Sequence, residues 1–174
     1  MVGDLFEKVK DSRNLLEKLT GMIPGWKGYQ ERQERREADQ LLRQTLATRL
    51  GAQRKQLDVA QKELISSGKI ELVDDVGSAV TQLQTFIDRV RLASYGYAGL
   101  FDAVKIRQEE LAQMYNFDVA LFEYVERLDA ATDQLRQAIP GGEGLVDIIR
   151  IIQDICREAN STFDNREHVI LGSQ

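Results

Sequence analysis

Four carboxylates have the spacing that comes nearest to catalysis. Glu123 and Glu126 stand three residues apart, so on a helix they share one face, and Glu143 and Asp147 follow a Pro-Gly-Gly turn. Two such pairs on adjacent helices can hold Mg²⁺, a hard cation that prefers carboxylate oxygens. A second constellation is built to bind rather than to react. Two Gly-aromatic segments, Pro24-Gly-Trp-Lys-Gly-Tyr29 and Tyr95-Gly-Tyr-Ala-Gly-Leu-Phe-Asp102, interrupt otherwise helical sequence. Trp26, Tyr29, Tyr95, Tyr97 and Phe101 offer ring surface for a pocket, while Arg35, Arg36, Asp39 and Asp102 offer the few polar anchors that ligand sites use. The competing reading is packing, with tyrosine hydroxyls satisfying Arg35 and Asp39 where a polar helix start meets the core.

Other chemistry is short of residues. One histidine and one cysteine cannot furnish a three-His metal site, a thiolate zinc site, paired Glu-x-x-His motifs or a disulfide framework, so no metal and no cofactor are expected. His168 lies in a polar C-terminal stretch without partner ligands. Cys156 falls within an apolar helical stripe with no histidine or lysine beside it, the setting of an inert thiol.

The Glu123, Glu126, Glu143 and Asp147 set resembles the paired Glu-x-x-Glu and Glu-x-x-Asp motifs of all-helical nucleotide pyrophosphohydrolases of the MazG type. That resemblance implies an all-α, Mg-dependent enzyme acting on nucleotides through those carboxylates. The second pair departs from the family pattern, because Glu143 and Asp147 are four apart and Glu143 sits in the Gly-rich turn. Glu-x-x-Glu also recurs at Glu31-Glu34 and Glu34-Glu37, as a chain with 29% charged residues makes easy. The favoured expectation is therefore a noncatalytic interaction or scaffold protein, with the enzyme as the alternative.

The elements that must position these residues are helices. With 174 residues, 43% of them hydrophobic and only two prolines, the chain suits one all-α domain. Leu5, Val9, Leu16 and Leu19 mark helix 1, which stops at Thr20-Gly21. Helix 2 is predicted over 29–66, with the stripe Ala38, Leu42, Leu46, Leu50, Leu57, Ala60 and Leu64, and would reach about 57 Å. After Ser66-Ser67-Gly68 a third stripe starts at Leu72 and runs through Val76, Val80, Leu83, Phe86 and Val90. The short connection predicts an antiparallel hairpin, Leu50 facing Phe86 and Leu46 facing Val90. The stripe continues across Gly96 and Gly99, which favours an unbroken helix 3 turning near Tyr115-Asn-Phe-Asp118. A fourth helix then carries Leu121, Val125, Leu128, Leu135 and Ile139 up to Pro140. Helix 5 spans 143–163, and its apolar residues cover about 160°, wider than the stripe of a surface helix. The fold expected is an elongated antiparallel bundle of about five helices built on the helix 2–helix 3 hairpin, one domain over 1–163, with a frayed tail over 164–174.

Charge and hydropathy narrow the partners. Residues 27–69 hold ten Lys or Arg against six Asp or Glu, whereas residues 70–174 hold nine against eighteen, within a net charge of −5. Acids interleaved with the bases of helix 2 dilute any attraction to phosphate, so no nucleic acid is expected. Met22-Ile23-Pro24-Gly25-Trp26, between Lys18 and Lys27, offers a wedge for membrane contact, but its segment lacks the cationic face of interfacial helices. Without a spanning run or a signal-like N-terminus the expected location is the cytoplasm, and a protein partner or self-association is the expected company.

Overall fold

The computed structural model describes residues 13–29, 35–93 and 108–172, the side chains of 36, 108–111 and 169–172 excepted. Helix α1 covers 13–22. It is followed by α2 (Arg35–Ser66), a 3₁₀ turn (Ile70–Leu72), α3 (Val73–Leu92), α4 (Gln108–Ala138) and α5 (Leu145–Gly172). The fold is an all-α bundle, and no strand occurs among the described residues.

The α2–α3 hairpin forms as the matched stripes require. Ser67 and Gly68 close α2, where the left-handed φ of +74° at Gly68 reverses the chain at little steric cost. Gln61 Nε2 then donates to the Val73 carbonyl, and Arg43 Nη1 reaches the carbonyls of Val90 and Arg91 at the other end. Leu42, Leu46, Leu50, Leu57, Ala60 and Leu64 are buried from one side of this seam, and Val76, Ala79, Leu83, Phe86 and Val90 from the other.

The remaining helices complete a square. α4 runs parallel to α2, with Gln53 on Asp129 and Glu63 on Arg136, and α5 returns antiparallel to α4, with Tyr124 on Thr162 and Arg127 on Glu158. α5 closes against α3 through Gln153 on the Asp75 carbonyl and an edge-to-face Phe86–Phe163 pair at 5.8 Å. α3 and α4 therefore occupy opposite corners and run in opposite directions. α1 lies over the α2–α4 side, tied by Lys18 to Glu123 and by Arg49 to the Met22 carbonyl.

Two expectations need correction. Helix 3 does not continue to Tyr115: α3 ends at Leu92, and residues 115–118 lie inside α4 without a turn. An apolar stripe shared by two helices reads as one when nothing in the pattern marks a change of direction. The tail does not fray from residue 164, because α5 stays helical to Gly172 and Arg166 is fully buried. The wide face of α5 is used as core: Leu145, Ile148, Ile149, Ile152, Ile155, Cys156, Ala159 and Phe163 are all buried, leaving Ile151 exposed.

Candidate functional site

Of the nine residues assigned to an aromatic and polar site, Trp26, Tyr29, Arg35 and Asp39 come together in one buried corner. Tyr95, Tyr97, Phe101 and Asp102 lie outside the described residues, as does the side chain of Arg36. The corner sits where the α1–α2 loop, the first turns of α2, the early part of α4 and the last turns of α5 converge.

The loop residues are placed by backbone geometry. Gly28 adopts φ +87°, and a Cβ there would stand 2.6 Å from Leu16 Cδ1 and 2.9 Å from Tyr115 Oη, so only glycine lets the loop approach α4 this closely. Trp26 meets Tyr29 edge-on at 5.2 Å and Tyr115 at 5.9 Å, while Tyr29 stacks on Tyr115 at 5.6 Å. The Trp26 indole N–H donates to the Ala38 carbonyl at 2.8 Å, which an N-terminal turn of α2 leaves within reach.

Around these rings lies an ion network that the sequence reading did not find. The Arg166 guanidinium, wholly buried, donates from Nε to Asp118 at 2.6 Å and from Nη2 to Asp39 at 2.7 Å and to the Tyr29 hydroxyl at 3.1 Å. Tyr29 donates its hydroxyl hydrogen to the second Asp118 oxygen at 2.9 Å, and its backbone N–H to the Tyr115 hydroxyl at 3.1 Å. Arg43 binds the second Asp39 oxygen at 2.7 Å, and Arg35 Nε donates to the Tyr29 carbonyl at 2.8 Å. One corner thus links the loop, α2, α3, α4 and α5, since Arg43 also reaches the α3 carbonyls. Arg166 Nη1 is the one buried nitrogen of the guanidinium without a hydrogen-bond partner.

Burial sets the acid–base character of the corner. It lifts the Asp118 carboxyl above its usual range, against the pull of Arg166 and the hydrogen bonds from Arg166 and Tyr29. Burial alone would depress the Arg166 guanidinium, but Asp118, Tyr29 and Asp39 more than reverse this, and it stays charged. Burial and the field of Asp118 drive the Tyr29 phenol well above 10.0, and burial raises Tyr115. With folded values above unfolded ones, both phenols contribute stability that is complete below about pH 10 and lost as pH climbs through the folded values. Alkaline titration followed at 295 nm should therefore show a late tyrosinate phase coinciding with loss of helical ellipticity. In Tyr29→Phe the amplitude of that phase should fall by about one tyrosinate; an unchanged amplitude would mean that Tyr29 titrates as a surface phenol.

The corner's donors and acceptors answer one another across the bundle. Asp118, the candidate base by burial, already accepts from Arg166 and Tyr29, and this is the arrangement of a structural network rather than of a poised acid–base pair. Sequence pattern held one signal for it. Asp118 follows Met114 by four and precedes Leu121 by three, and Arg166 follows Phe163 by three, so each lies within an apolar stripe.

The carboxylate set does not assemble. Glu123 is exposed in the middle of α4 and takes Lys18, Glu126 is exposed one turn on, Glu143 precedes α5, and Asp147 pairs with Arg150 in the first turn. Because α4 and α5 are antiparallel, Glu143 and Asp147 lie near the far end of α4, roughly 18 Å beyond Glu126 for twelve helical residues. No group of three His, Cys, Asp or Glu able to hold a metal occurs among the described residues. Cys156 is buried and its thiol is pushed up to about 12 by desolvation, which matches the inert role expected of it. The wedge residues Ile23 and Trp26 point inward, and none of the described helices is long and apolar enough to cross a membrane. Comparison with protein-family models, with curated proteins and with solved structures finds no match to this chain.

Proposed function

We propose that the chain is a noncatalytic helical-bundle interaction protein of the cytoplasm, one that works by presenting rigid surfaces to a protein partner or to itself. The observation that carries this reading is the placement of exposed apolar side chains. Of the five exposed large hydrophobic residues among those described, Ile65 at the end of α2, Ile70 in the 3₁₀ turn and Val146 at the start of α5 are 53%, 67% and 52% exposed and belong to the same end of the bundle, whereas Leu92 closes α3 at the other end and Ile151 lies along α5. Burying a side chain of this kind is worth about 1.5–3 kcal/mol, so a cap that leaves three in water forgoes stability that a partner can recover. The polar corner at the opposite end supports the same view, since its carboxylates and guanidinia are spent holding four helices together.

The test is substitution at that cap. In the Ile65→Asp, Ile70→Asp double variant, thermal stability should be nearly unchanged because neither side chain is buried, while association is lost. Association here means either a concentration-dependent rise in mass measured by light scattering or the specific capture of a partner that is then identified by mass spectrometry. If the wild-type protein shows neither behaviour, or the variant retains both, the interaction reading fails.

A further inference from the structure

A groove on the outer side of the hairpin, about 600 Å³, is lined by Gln40, Arg43, Gln44, Ala47 and Thr48 of α2 and Arg91 of α3. Among the described residues no acid lines it, although the chain as a whole carries net charge −5. Its floor is Ala47 and the almost wholly buried Arg43, which Asp39 holds in place. Its rim is exposed, and Arg91 there has no ion-pair partner among the described residues. Asp88, one turn back on α3, is bonded to Gln84. The groove is therefore a preformed seat whose free positive charge is that of Arg91, since Asp39 neutralises Arg43, with amide and hydroxyl groups around it.

The complementary surface is on the same molecule, at the other end of the same hairpin. Glu71, Asp74 and Asp75 are exposed over the 3₁₀ turn and the first turn of α3, have no ion-pair partner among the described residues, and adjoin the 67%-exposed Ile70. They cannot reach the groove of their own chain, since the seventeen residues from Asp74 to Arg91 span roughly 26 Å of rigid helix. Resting on the interaction reading above, we propose that the occupant of the groove is a second copy of this chain, whose Ile70-Glu71 and Asp74-Asp75 tip seats against Arg91. The tip and the groove are different surfaces, so the contact is head-to-tail, and each added copy presents a fresh tip and a fresh groove. Exposed ion pairs are individually weak and are screened by salt, so the association is weak and depends on both concentration and ionic strength.

The experiment is sedimentation velocity on the full chain and two charge reversals, Arg91→Glu in the groove and Asp74→Arg with Asp75→Arg at the tip. All three positions are exposed, and circular dichroism verifies the fold of each variant. At roughly 0.05 M salt the wild-type weight-average mass should climb past twice that of one chain as concentration rises, and should return to one chain at about 1 M salt, where screening acts within about 3 Å. Each variant alone should sediment as a single chain. An equimolar mixture of the two should assemble again at low salt, because the acidic tip of one copy meets the Arg91 groove of the other, and the reversed basic tip meets the reversed acidic groove. Wild-type protein that stays a single chain at low salt overturns the proposal, as does assembly that Arg91→Glu leaves intact or a mixture in which no pair forms. A single-chain wild type that still captures a partner through its Ile65 and Ile70 cap would leave the broader interaction reading standing while this one falls.

Discussion

Arg166→Ala is expected to destabilise the bundle by about 3–5 kcal/mol, the cost of removing one member of a buried ion network and leaving the others uncompensated. The magnitude follows from what the guanidinium holds. Asp118 would lose a 2.6 Å donor and Asp39 a 2.7 Å donor, both carboxylates being buried, and Tyr29 would be left donating to an acid with no cation beside it. For a domain of this length each kcal/mol moves the melting temperature by about 2–4 °C, so the variant should melt roughly 6–20 °C lower. Asp118→Asn should cost far less, about 1–2 kcal/mol, because burial already opposes the charge at Asp118 and the amide oxygen still accepts from Arg166, which retains Asp39. Exposed Arg157, paired with Asp154, should lose under about 1 kcal/mol on change to alanine. Urea unfolding of the three variants decides the matter: an Arg166→Ala loss no greater than that of Arg157→Ala would show that the corner is hydrated and that its ions do not bind the helices to one another.

The same residue shows what the sequence could and could not reveal. The hairpin was legible because Leu42, Leu46, Leu50 and Leu57 repeat at helical spacing and meet an equally regular stripe on α3, and short-range periodicity suffices for that. Trp26, Tyr29, Arg35 and Asp39 were legible as a group because glycines and rings cluster beside a polar helix start. Arg166 and Asp118 were not. Hydropathy assigns a charged residue to the surface, and only a partner from another helix makes its burial tolerable; here that partner is 48 residues away in sequence. Once Arg166 is read as surface, the stripe of α5 stops at Phe163, and the last two turns of the helix pass for a loose end. The square arrangement was hidden for a related reason. The apolar side of α2 serves both α3 and α4, so its pattern identifies a face but not how many neighbours share it. The Glu123, Glu126, Glu143 and Asp147 pattern misled in the opposite direction, since spacing along one helix places two acids on a face without bringing the second pair to meet them.

Gly28→Ala should produce the second large loss, about 2–5 kcal/mol, although it adds a single methyl group. Two costs combine at this position. The left-handed φ of +87° disfavours any residue with a Cβ by about 1–2 kcal/mol. Forcing a methyl into packed surroundings costs about 1–3 kcal/mol more, and here it would meet Leu16 Cδ1 at 2.6 Å and the Tyr115 hydroxyl at 2.9 Å. Gly25→Ala separates the two costs. Gly25 has nearly the same φ, +79°, but a Cβ there would meet nothing within 4 Å, so only the backbone contribution should be lost. The near-ultraviolet spectrum supplies a second readout, because pushing Tyr115 away from the loop disturbs both its stack on Tyr29 and its edge contact with Trp26. Gly28→Ala should therefore weaken the aromatic ellipticity while Gly25→Ala preserves it. Equal losses in the two variants, with unchanged aromatic signals, would mean that the loop can retreat from α4 freely. The Tyr29 hydroxyl would then owe its place beside Arg166 and Asp118 to the ions alone rather than to the close approach that glycine permits.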